Sequence, residues 1–124
     1  KLISQHESRI KDGHRSILFG MQSFGEGLDL PGKLCETVLI TKLPFAPPDS
    51  PVEEAKSEWL EKNQGNPFYE NSVPAVALKL QQWVGRGIRT ETDHATIIVL
   101  DKRLKTKPYG KKILAGLPPF KRLM

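Results

Sequence analysis

The sequence predicts an α/β fold, and the pattern of its apolar residues carries that prediction. Three β-branched apolar runs have strand length: Ser16-Ile17-Leu18-Phe19-Gly20, Thr37-Val38-Leu39-Ile40-Thr41 and Thr96-Ile97-Ile98-Val99-Leu100. None shows the apolar and polar alternation of a strand with one wet face, which favours parallel strands covered on both sides. Stretches of helical periodicity separate the runs, so the expectation is a mainly parallel sheet flanked by helices.

Taken in order, Leu2 to Lys11 reads as a helix ending near Asp12-Gly13, and the first strand follows it. Between the second and third strands lies a proline-rich loop, Leu43-Pro44-Phe45-Ala46-Pro47-Pro48-Asp49. It ends in Ser50-Pro51-Val52-Glu53, which combines an N-cap, a first-turn proline and a capping-box glutamate. That helix should run to about Lys62. Asn66-Pro67 marks a turn, and Ser72-Val73-Pro74 opens a long helix. Pro108 opens a last short helix that ends at Gly116, before Pro118-Pro119.

The long helix carries the most informative stretch, Gln82-Trp83-Val84-Gly85-Arg86-Gly87-Ile88-Arg89. At about 100° per residue, Val73, Val76, Ala77, Val84 and Ile88 fall within roughly 80° of Leu80, while Gln82, Arg86 and Arg89 cluster near 200°. Two glycines inside a helix cost about 2 kcal/mol together against alanine, so close approach by a neighbour or ligand should offset them. Two guanidiniums one turn apart would suit a bidentate grip on phosphate. The same face also fits a solvated helix surface, and the spacing does not choose between the two.

Composition bounds the rest. The 124 residues make one domain or part of one, with 38% hydrophobic and 27% charged residues, as in a soluble globular chain. There is no apolar run long enough to span a membrane and no signal-peptide pattern, so no membrane association is expected. A single cysteine, Cys35, rules out an internal disulfide or a multi-cysteine metal site and fits a reducing, cytoplasmic setting. The first residue is Lys rather than Met, and a fragment of a longer protein is the expectation. Residues 102–124 carry eight basic and no acidic side chains, so the net charge of +5 sits in a basic C-terminal segment. Such a segment could track a nucleic-acid backbone or simply solubilise the end of the chain.

Several motifs fail. Gly27 and Gly32-Lys33 have phosphate-loop spacing, but Leu34 stands where a magnesium-ligating Ser or Thr belongs and Pro31 breaks the helix start. His6, His14 and His94 lack metal-ligand spacing, so no metal site is expected and local hydrogen bonding is the expected role. Trp59 and Trp83 read as packing groups, and Phe45 as a loop anchor or a base-stacking ring. Ser23-Phe24-Gly25-Glu26-Gly27-Leu28-Asp29-Leu30-Pro31-Gly32 is more promising. It follows the first predicted strand, which would put it at the carboxyl edge where α/β sheets bind ligands. Glu26 and Asp29 there offer acceptors for a ribose hydroxyl or metal-bound water.

In that order, the two stretches resemble motifs V and VI of superfamily-two helicases, in the XPD-like branch and of the DinG type. Lys42-Leu43-Pro44-Phe45 with Pro48-Asp49-Ser50-Pro51, and Asp101-Lys102-Arg103-Leu104 with Thr106-Lys107-Pro108-Tyr109-Gly110-Lys111, resemble the family's flanking stretches. The resemblance covers nearly the whole chain. It implies a bacterial, damage-related DNA helicase moving 5′ to 3′ on single-stranded or forked DNA, with ATP and Mg2+ between two RecA-like lobes. Residues 1–124 would be the C-terminal portion of the second lobe, a single, incomplete P-loop NTPase-type domain. Arg86 and Arg89 would then be arginine fingers, and Gln82 would orient the site. Glu26 and Asp29 would face the nucleotide, with Ser23 and Gly25 near the DNA backbone. The phosphate loop and the cysteines of an iron-sulfur cluster would belong to the first lobe, so the piece alone should be inactive. A partial sheet should also expose an edge and promote self-association. The alternative is a stand-alone nucleic-acid or nucleotide-binding module without catalysis.

Overall fold

A computed structural model of the chain describes residues 1–22, 27–47, 49–88 and 90–123. Its elements are α1 (Leu2–Lys11), a 3-10 turn (Gly32–Leu34), β1 (Thr37–Ile40), α2 (Pro51–Lys62), a π-helical turn (Phe68–Ser72), α3 (Val73–Val84), β2 (Thr96–Val99), α4 (Arg103–Thr106) and α5 (Pro108–Ala115). The two strands form one sheet. Thr96 N donates to Glu36 O at 2.8 Å and Leu100 N to Ile40 O at 2.9 Å. Both sequence positions rise together along the ladder, so the pair is parallel, as expected for strands joined by helices. The fold class is therefore α/β.

The third expected strand does not form. Residues 14–21 belong to no helix or strand, and Ile17 and Phe19 are 76% and 86% exposed. An apolar run becomes a strand only where another backbone supplies hydrogen bonds. Full cover of the sheet is also absent, since Leu39, Ile98 and Leu100 remain exposed. Ser50 leads into α2 with extended φ/ψ of −68° and 123° but makes no side-chain cap. The expected capping box is replaced because Glu53 accepts from Asn71 Nδ2 at 2.6 Å and pairs with Lys56 at 3.5 Å. Trp59 is 63% exposed rather than packed.

The chain divides into two compact units, residues 1–39 with 82–98 and residues 40–81 with 99–124. In the first, His6 is 5% exposed and anchors α1. The Leu34 carbonyl only accepts, so His6 Nε2 donates to it at 2.8 Å, and in the neutral ring Nδ1 accepts from Ser16 Oγ at 2.8 Å. In the second, Leu43, Val73, Val76, Leu80, Tyr109 and Ile113 are buried. Val73, Val76 and Leu80 recur at helical spacing, which confirms the expected apolar stripe on this part of α3. Among the described residues no helix is long and apolar enough to cross a membrane.

Candidate functional site

Arg86 sits at a turn, not on a helix. The last residue of α3 is Val84, after which Arg86 N donates to Trp83 O at 3.1 Å and Gly87 N to Val84 O at 3.2 Å. The expected continuous helix through Arg89 is thereby corrected. Glycine gains little from the helical state, and bonds to the third preceding carbonyl tighten and end the last turn. Gln82 is exposed on α3, whereas Arg86 is half-buried beyond it, so the two do not share a helical face. Ile88 is 37% exposed and lies past the apolar stripe. Arg89 lies outside the described residues.

The turn brings two distant stretches together. Arg86 Nη1 donates to the Leu28 carbonyl at 2.9 Å, across 58 positions of sequence. Leu30 is buried at 8% exposure and anchors the Gly27–Gly32 stretch, while Asp29 is exposed. Gly32 adopts φ +59°, a conformation that favours glycine, and opens the turn into β1. The stretch therefore leads into the amino end of β1. It does not follow a paired strand, so the expected position at the carboxyl edge of a first strand is not found. Ser23, Gly25 and Glu26 lie outside the described residues.

Gly87 has a packing reason to be glycine. A Cβ there would lie 2.5 Å from Ala95 Cβ, with the Cys35 carbonyl and Val38 Cγ2 each at 3.7 Å. This close approach by a neighbour is what the sequence expected to offset one of the two glycines.

The second unit holds a charged pair to which the sequence, read there only as a family-like flank, assigned no role. Asp101 follows β2, and its side chain is 7% exposed. It accepts from Arg103 Nε at 2.9 Å, from Arg103 Nη2 at 2.6 Å and from the Leu43 backbone N at 2.9 Å. These bonds, the Arg103 pairing foremost, hold the carboxyl well below the usual carboxylate range, and the partnership raises Arg103 in turn. The clamp ties the exit of β1 to the exit of β2. Its sequence signal, beyond that flank, was an acid two residues before an arginine directly after a strand.

Among the described residues no group of three or more His, Cys, Asp or Glu could hold a metal ion. Comparison with known proteins supplies the remaining context. The family model of the helicase C-terminal domain matches residues 1–120. The chain belongs to that family. It is 51% identical over 122 residues to the ATP-dependent DNA helicase DinG of Photobacterium profundum, covering 98% of this chain and 18% of that protein. It is 45% identical over 120 residues to the protein of that name from Escherichia coli K12, and 44% identical to that from Salmonella typhimurium. In each of those two cases it covers 97% of this chain and 17% of the relative. The chain thus spans less than a fifth of the length of these relatives. For a helicase C-terminal domain, the resemblance read from the two motif-like stretches falls in the right family. The contact between Arg86 and Leu28 is one point at which those stretches meet.

Proposed function

We propose that this chain is the C-terminal portion of the second RecA-like lobe of a DinG-like, ATP-dependent DNA helicase. In that role it supplies Arg86 and Arg89 to ATP bound against the first lobe of the same polypeptide. The observation that carries the reading is the Arg86 guanidinium held on the Leu28 carbonyl, within a chain matched along residues 1–120 by the helicase C-terminal domain. A guanidinium on a glycine-flanked turn can pivot toward a γ-phosphate and stabilise the charge that develops during transfer. Its contact with the Gly27–Gly32 stretch would let that pivot be felt by backbone next to Asp29 and Glu26, which we assign to the nucleotide side. Gln82 orients the site, and Ser23 and Gly25 run along the DNA backbone. The parent protein moves 5′ to 3′ on single-stranded or forked DNA, serves damage repair and works in the cytoplasm.

The fit of cofactors follows from side-chain chemistry. An iron-sulfur cluster needs several thiolates, and Cys35 is the only cysteine, so this chain cannot hold one. ATP, Mg2+ and any cluster would be held mainly by the rest of the parent, and the isolated chain would not hydrolyse ATP.

The test is ATP hydrolysis by the full-length parent, stimulated by single-stranded DNA, with DNA binding measured on the same samples. Arg86→Ala or Arg89→Ala should lower turnover by roughly a thousandfold and leave DNA binding nearly intact. Unchanged turnover would sink the arginine-finger reading. Parallel loss of both activities would point to misfolding.

A further inference from the structure

The basic C-terminal segment has a neighbour that its sequence does not announce. Pro67 starts a helical turn, and Asn66 Oδ1 accepts from Tyr69 N at 3.2 Å, which fixes the backbone under Phe68 and Tyr69. Phe68 contacts three rings: Phe45 stacks on it at 5.8 Å, Tyr69 meets it edge-on at 5.4 Å and Tyr109 at 5.1 Å. Tyr109 is buried, so the cluster is rooted in the core, but Phe68 and Tyr69 are each 38% exposed. The Lys112 ammonium lies over the Tyr69 ring, 5.2 Å from its centre. A cation reaching that face shows that the face is open and gives it a positive lid.

The structure also sorts the basic residues. Arg103 is consumed by Asp101, and Arg122 Nη2 donates to the Leu114 carbonyl at 2.8 Å. Lys102, Lys105, Lys107, Lys111 and Lys112 are exposed, and none of them has a carboxylate within salt-bridge distance among the described residues. The Glu70 carboxylate beside Tyr69 in sequence folds against Gly65. A half-exposed ring on a floor of packed rings, with exposed ammonium groups beside it, has the two parts that grip single-stranded nucleic acid. The π-face takes a base, and the lysines take phosphates.

We infer that Tyr69 and Lys112, with the exposed lysines of α4 and α5, form a binding site for single-stranded nucleic acid. A base stacks on Tyr69, and Lys112 swings from the ring to the adjoining phosphate. The site reads no sequence, because every base offers a π-face. It is independent of Arg86 and stands whether or not that residue acts in hydrolysis.

The experiment uses the full-length protein and a short fluorescein-labelled oligothymidylate, with Kd measured by anisotropy without nucleotide across a salt series. Lys112→Ala should weaken binding and reduce the salt slope by about 0.7, the value of one lost phosphate contact on a single strand. Tyr69→Ala should weaken binding by about fivefold or more with the slope unchanged, and Tyr69→Phe should restore it. If circular dichroism shows that Tyr69→Ala unfolds, Lys112→Ala, at an exposed position, decides alone. Unchanged Kd and unchanged slope in Lys112→Ala would overturn the proposal and leave the patch to a protein contact.

Discussion

Residues 40–81 with 99–124 bury Leu80 and Ile113 completely and close four aromatic rings on one another, whereas residues 1–39 with 82–98 depend on directional polar contacts. In that first unit His6 is held at both ring nitrogens and Arg86 is held on the Leu28 carbonyl. Its buried apolar side chains among the described residues are Leu30 and Val84, while Ile17, Phe19 and Met21 are exposed. Apolar burial is non-directional and scales with area, so a core of that kind tolerates local movement. A hydrogen bond is lost once its geometry goes. The candidate arginine thus sits in the unit whose local contacts are easiest to remake, as expected of segments that move during function.

The strongest way to break the comparison is to attack the most buried ionic contact described in the apolar unit. Asp101→Asn removes the charge that Arg103 and the Leu43 N–H are arranged around, and should cost about 2–3 kcal/mol of stability. The half-exposed guanidinium can be rehydrated, which keeps the loss below that of a fully buried pair. The pH dependence has a definite sign. The carboxyl is held below its ordinary value in the folded state, so its stabilisation is complete above the unfolded value of about 4. It fades as pH falls from there toward the folded-state value. Urea unfolding of the wild type and of Asp101→Asn from neutral to acidic pH should show two curves that converge at low pH. A constant gap would show that the charge is not what stabilises this contact.

Next in size is Gly87→Ala. The added methyl meets Ala95 Cβ, and such overpacking costs about 1–3 kcal/mol. Ala95→Gly in the same chain should recover most of the loss, since it removes the opposing atom. Thermal unfolding of the two single variants and the double one would check this, and additive losses would show that the two positions do not touch. The outcome sharpens the comparison because it measures how much of the first unit rests on one close approach.

How much of this was legible follows from which forces act locally. The helices Leu2–Lys11, Pro51–Lys62 and Pro108–Ala115 were readable because turn chemistry and periodicity are local. The strands Thr37–Ile40 and Thr96–Val99 were readable because their β-branched runs found each other. The run from Ser16 to Gly20 has the same composition but no partner backbone, and composition alone does not supply one. The helix end before Arg86 was not legible because the apolar period continues through Ile88, whereas the helix stops at Val84 and a turn holds Gly85 to Gly87. Carbonyl contacts are the hardest to foresee, since every residue has a carbonyl and only the fold selects Leu28 for Arg86. The Asp101 clamp was hidden for the same reason, because one of its four donors is the backbone of Leu43.

The smallest effect on stability, and the most telling about the first unit, concerns its exposed apolar segment. Ile17, Phe19 and Met21 alternate along residues 16–21 and are 76%, 86% and 86% exposed, whereas Ser16 and Leu18 are half-buried. Alternation of this kind is the pattern of one face of a strand, and an exposed apolar segment with that pattern is a template for pairing with another chain. The isolated 124-residue chain should therefore self-associate at raised concentration. Ile17→Lys with Phe19→Lys should keep it monomeric while changing unfolding free energy by no more than about 0.5 kcal/mol, because both side chains are already in water. Sedimentation of the two forms over a concentration series checks this. A wild-type chain that stays monomeric would mean that the exposed face is not adhesive, and would remove the main contrast between the two units.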